Sequence, residues 1–80
     1  MFRTLLKSDA LSVENRTVCV HYFELRTRRG TPRYSAEVML GPEDRIILDD
    51  GSLTKLEART ASLVPATLRS RMLAGRPTAA

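Results

Sequence analysis

The chain of 80 residues has one cysteine, one histidine and no tryptophan, and each shortage removes a class of function. With Cys19 alone no internal disulfide can form. With His21 as the only imidazole, too few nitrogen and sulfur ligands remain for a closed zinc site. No stretch approaches the roughly 18 consecutive apolar residues of a membrane span. The opening "MFRTLLKSDALS" has no apolar run and carries Asp9, so it does not read as a signal peptide. These absences favour a cytoplasmic protein with a reduced thiol. The 4 glycines stand singly at turns, which excludes a glycine-rich phosphate loop. There is no RNP-type aromatic pattern, no GxxG loop and no helix-turn-helix glycine spacing. No cofactor or metal is expected, and an enzyme is not, because no set of catalytic groups stands out.

What is present fits one small domain over residues 1–80, with 42% hydrophobic residues, ordinary for a globular chain. A domain of this size sits near the limit at which one core stabilises a fold, and association with a second copy is a common remedy. The net charge of +4 is unevenly laid out: residues 1–25 sum to zero, 26–42 to +3, 43–57 to −3 and 58–80 to +4. Basic blocks flanking an acidic one can attract each other within the fold, or the same blocks of another copy.

"TVCVHYFEL" (17–25) is β-branched and aromatic and reads as a strand, with apolar residues at both parities. "RYSAEVML" (33–40) alternates cleanly and predicts a half-buried antiparallel strand. "GPED" predicts a turn with Pro42 at its first central position, followed by a short strand, "RIIL", closed by "DDGS". Leu53, Leu56, Leu63 and Val64 then recur at helical spacing; Ser52 can cap this helix, and an alternative start at Thr54 has Glu57 three residues on, the capping-box pattern. Pro65 lacks an N–H and predicts a break and restart, leaving Val64, Leu68 and Met72 on one face, Gly75 as C-cap and Pro77 as stop. The expected architecture is therefore α+β: a three-stranded antiparallel meander (17–27, 33–40, 45–49) followed by helices over 53–63 and 65–74. Residues 1–11 are expected to form a flap, helical, irregular or an extra strand, and 76–80 a frayed tail.

A loop spanning Arg29 to Pro32 sets Leu25 opposite Ala36, Phe23 opposite Val38 and His21 opposite Leu40. That register assigns Cys19, His21, Phe23 and Leu25 to the core. It leaves Val18, Val20, Tyr22 and Met39 on the far side as an apolar patch for the N-terminal segment or a second protomer. It also sets Glu24 against Glu37, a like-charge pair. Cys19 and His21 share a face, as a thiol nucleophile and its base would, but buried packing suits them better in this register. Asp49-Asp50 reads as a turn and cap, since it lacks the ligand ladder of a calcium loop. Arg26, Arg28, Arg29 and Arg33 cluster at the hairpin tip, where guanidinium forks fit phosphate bidentately, and Arg69, Arg71 and Arg76 could join them. The same arginines also serve as a solvated turn that protects a sheet edge. The leading expectation is a small non-enzymatic binding domain that self-associates as a homodimer. The alternative is a nucleic-acid or acidic-protein binder working through the arginine tip.

Overall fold

The computed structural model describes residues 2–26 and 28–74. Four strands, β1 (Phe2–Val13), β2 (Arg16–Arg26), β3 (Pro32–Gly41) and β4 (Asp44–Asp50), form an antiparallel sheet in the order β1-β2-β3-β4. One helix, α1 (Leu53–Ala74), follows and packs on one face of the sheet, chiefly over β3 and β4. The class is α+β, as expected, but with four strands and one helix rather than three and two.

The first difference lies at the N-terminus, where, of the alternatives open for residues 1–11, the extra strand forms as β1 and makes the sheet four-stranded. The chain turns between β1 and β2 through Glu14-Asn15, whose φ values of 48° and 67° are both left-handed. Such a two-residue loop matches the twist of paired strands, and asparagine tolerates the conformation better than most residues. Val13 then pairs with Arg16, Leu11 with Val18 and Asp9 with Val20. A register shift between Leu5 and Lys7 makes Leu6 a bulge. Periodicity is broken there, which hides the strand in the sequence.

The second difference is the register of β2 on β3. Tyr22 lies opposite Ala36, Val20 opposite Val38, and Arg26 opposite Pro32. The connecting loop is one residue longer than expected, and Gly30 takes φ 76° within it. The parity of β2 is therefore reversed. Val18, Val20 and Tyr22, expected on the far face, are buried in the core, while Cys19, His21, Phe23 and Leu25, expected in the core, face away from the helix. This parity buries β-branched side chains of β2 against Ala36 and Val38. It also removes the Glu24–Glu37 clash: Glu24 binds Arg26 at 2.7 Å and Glu37 binds Arg3 at 3.0 Å. The Pro42-Glu43 turn between β3 and β4 is as expected, pairing Gly41 with Asp44.

The third difference is that Pro65 lies inside a continuous helix. Ser52 caps it: its Oγ accepts the Lys55 N–H at 3.3 Å, and its own N–H donates to Asp50 Oδ1 at 3.1 Å. That N–H, with the Arg59 guanidinium, holds the Asp50 carboxyl below its ordinary range. Leu56, Thr60, Val64 and Leu68 recur every four residues and are buried. The Thr60 hydroxyl is satisfied by donating to the Leu56 carbonyl at 2.7 Å. Burial of Leu56 and Thr60 before the proline, and of Val64 and Leu68 around it, holds both halves on the same sheet face. The carbonyl that Pro65 leaves without a donor belongs to Ala61, on the exposed side. Leu63, expected in the core, is 39% exposed. The expected Gly75 cap, Pro77 stop and 76–80 tail lie outside the described residues, as does the Met72 side chain.

The charge blocks find each other within the fold. Arg33 binds Asp49 at 3.0 Å, Arg45 meets Glu37 at 3.6 Å, Arg59 binds Asp50 at 3.3 Å, and Arg71 meets Asp44 at 3.6 Å. Lys7 on β1 pairs with Glu57 on α1, which raises the lysine's pKa. Such exposed pairs contribute little each, about 0–1 kcal/mol.

Candidate functional site: the outer face of the sheet

Among the described residues one helix covers one face of the sheet, and residues at alternate positions on the four strands line the other. The cross-strand pairs set out its levels. At one level lie Leu5 of β1, Phe23 of β2, Ser35 of β3 and Asp49 of β4. The next carries Ser8, His21, Glu37 and Ile47, and the one after it Ala10, Cys19, Met39 and Arg45. Beyond Phe23 lie Arg3, Leu25 and Arg33.

This face carries apolar side chains on either side of a polar central level of Ser8, His21 and Glu37. Leu5 is 55% exposed and Ile47 59% exposed, Cys19 is exposed, and Phe23, Leu25 and Met39 are half-buried. The Arg3 guanidinium stacks 3.7 Å from the centre of the Phe23 ring, which lays it flat over that side chain. The charged groups here are paired with one another: Arg3 and Arg45 with Glu37, and Arg33 with Asp49 through both Nε and Nη2 at 3.2 and 3.0 Å. The face therefore offers little unbalanced charge, although the chain as a whole is basic.

Of the residues expected to mediate self-association, Met39 alone lies on this face; Val18, Val20 and Tyr22 belong to the core. The side of β2 expected to be open is the side that joins the core. Leu5 and Ile47 carry no clear signal in the sequence, because the bulge at Leu6 breaks the alternation of β1 and "RIIL" has apolar residues at both parities.

The arginines are not brought together as one surface. Arg26 is held by Glu24 and Arg33 by Asp49. Arg69 binds Glu14 at 2.8 Å and Arg71 meets Asp44, so both sit near the β1–β2 and β3–β4 turns. The arginine tip between β2 and β3 is at the opposite end of the sheet, on the order of 30 Å away by strand rise. Arg28 and Arg29, both exposed in the tip, have no carboxylate partner among the described residues. Arg76 lies outside them.

Cys19 and His21 share the outer face, so neither is the core residue expected of it. His21 Nδ1 is 2.8 Å from Ser8 Oγ, and Glu37 stands across the strand pair. Asp49 and Asp50, expected in a turn, end strand β4 instead; Asp49 binds Arg33, and Asp50 binds Arg59 and accepts the Ser52 N–H. Among the described residues no three histidine, cysteine or carboxylate groups gather as a metal site would require. No described helix is long and apolar enough to cross a membrane.

Compared with protein-family models, with curated proteins and with solved structures, the chain matches none of them.

Proposed function

We propose that this chain is a small, non-enzymatic cytoplasmic binding domain whose working surface is the outer face of its sheet. The single observation that carries the reading is a set of apolar side chains on a face the helix does not cover: Leu5 and Ile47, exposed, and Phe23, Leu25 and Met39, half-buried. Burying such side chains releases about 25 cal/mol for each Å² removed from water, so a partner that covers them gains directly. Because the arginines and carboxylates on this face are already paired, it suits an apolar, weakly charged protein surface. A highly charged partner would have to break those pairs.

The test is a photo-crosslinking amino acid placed at Ile47, compared with one at Ser62 on the exposed side of α1. Discrete protein adducts in cells from position 47 and none from position 62 are expected. Adducts from neither position, or equally from both, overturn the reading.

A second reading draws on Arg28 and Arg29: a hairpin tip that holds nucleic-acid phosphate. Two phosphate contacts on duplex DNA contribute about −1.8 to the slope of log affinity against log salt. Replacing both arginines with serine should remove that part of the slope. Failure of the native chain to bind a mixed oligonucleotide at physiological salt with a Kd tighter than roughly 10⁻⁴ M removes this reading.

A further inference from the structure

We propose that the occupant of the outer face is a second copy of this chain, packed sheet to sheet about a two-fold axis crossing the strands at the level of His21, Glu37 and Ile47. The inference rests on the reading of that face as the working surface and names its partner. Stacked sheets lie about 10 Å apart, so side chains from the two faces must interdigitate, long against short. An axis in the interface plane, perpendicular to the strands, keeps each strand over its own copy and reverses the order of levels along it. The level of Phe23 then lands on the level of Cys19.

The match that follows is specific. Leu5 meets the partner's Ala10 and Met39 the partner's Ser35, each a long side chain over a short one, while Phe23, with the Arg3 guanidinium over its ring, lies at the level of the partner's Cys19. Asp49 meets the partner's Arg45, a pair of opposite charges. Ile47 meets the partner's Ile47 at the axis. Glu37 also approaches its own copy, but in each protomer its carboxylate is held by Arg3 at 3.0 Å and Arg45 at 3.6 Å.

The other in-plane two-fold, parallel to the strands, lays β1 over β4. It sets Leu5 on Asp49 and Ala10 on Arg45, so that each charge faces apolar carbon across the interface and keeps only its partner within the protomer. Self-complementarity thus selects one axis. Four strands about 4.8 Å apart and four or five levels about 7 Å apart make a face of roughly 15–20 by 25 Å. That is at the small end for specific protein interfaces, so the dimer should be concentration-dependent rather than permanent.

The experiment is sedimentation across a concentration series, combined with mild oxidation of cysteine variants. Ile47→Cys in a Cys19→Ser background is expected to form a covalent dimer, because position 47 faces itself. The native chain, treated alike, is expected to form none. Its two Cys19 side chains lie two levels apart along the strand, about 14 Å by strand rise, beyond disulfide reach. Ile47→Lys should sediment as a folded monomer with an unchanged circular dichroism spectrum, since this side chain is 59% exposed. A dimer that Ile47→Lys dissolves, but in which Cys19 crosslinks to itself and position 47 does not, overturns the axis and leaves the outer face as the working surface. A monomer at every concentration, with a photo-adduct to another protein from position 47, overturns the second copy alone. A monomer with no adduct overturns both.

Discussion

Replacing Val20 and Phe23 in turn tests the assignment of faces on which the site depends. They lie three residues apart on β2, at opposite parities: Val20 is fully buried between sheet and helix, and Phe23 lies half-buried on the outer face. Val20→Ala removes two carbons from a site with no solvent contact, costing about 1.6 kcal/mol in transfer free energy. The cavity left under α1 adds roughly 1 kcal/mol where the surroundings relax only in part. A total of about 2–3 kcal/mol follows, which lowers Tm by roughly 10–20 °C in a domain of this size. Phe23→Ala removes far more carbon, and in a core position it would cost about 3–5 kcal/mol. On the outer face of a monomer it loses half-exposed area and its stack with Arg3, for an expected cost of about 1–2 kcal/mol.

The assay is urea unfolding followed by circular dichroism, repeated over a range of protein concentrations. Val20→Ala should shift the midpoint by the same amount throughout. The cost of Phe23→Ala should grow with concentration, because a partner that binds the folded face adds stability by mass action. A larger loss for Phe23→Ala than for Val20→Ala at the lowest concentration would reverse the faces and with them the site.

Two further outcomes follow from the helix and the core. Pro65→Ala restores a donor to the Ala61 carbonyl and should raise stability by about 1–3 kcal/mol in the same urea assay, whereas a loss would mean that the proline ring packs better than a helical hydrogen bond. Burial raises the Tyr22 pKa above its ordinary value of 10.0, against the opposing effect of the Thr60 hydroxyl. The folded state therefore holds the phenolic proton more tightly. This contribution is whole below pH 10.0 and is lost as pH rises through the folded value. Tyr22→Phe should lose less stability between about pH 9 and 11 than the native chain, and equal alkaline loss in both would refute the assignment.

The parts of the fold legible in the sequence are those where one local rule acted alone. "RYSAEVML" alternates because the helix covers one side of β3 and not the other. Pro42 sets its turn, and Ser52 caps the helix, because φ restriction and side-chain hydrogen bonding need only a few residues. Pro65 was misleading for a physical reason. Its local cost, about 3 kcal/mol in a helix interior, is offset by Val64 and Leu68 burying on the same sheet as Leu56 and Thr60. Tertiary burial outweighs the local rule there.

The candidate site was harder to read because its position depends on one bit of information, the parity of β2. "TVCVHYFEL" offers apolar groups on both sides, so hydrophobic pattern alone leaves the two faces nearly equivalent. The tip loop does not resolve them, since Gly30 permits several loop lengths and each added residue flips the strand. The deciding signal lies at the other end of β2, in "VENRTV". Glu14 and Asn15 form a two-residue hairpin turn with both φ values positive, and such a loop fixes Val13 against Arg16. From that pair, alternation carries Leu11, Val13, Val18, Val20 and Tyr22 to one side, where α1 covers β2, and leaves Cys19, His21, Phe23 and Leu25 on the other. The Glu24–Glu37 conflict in the alternative register points the same way. In the observed register the two carboxylates fall on opposite faces, Glu24 bound by Arg26 and Glu37 by Arg3. A two-residue turn and a like-charge pair thus decide which apolar band meets the helix and which remains open to a partner.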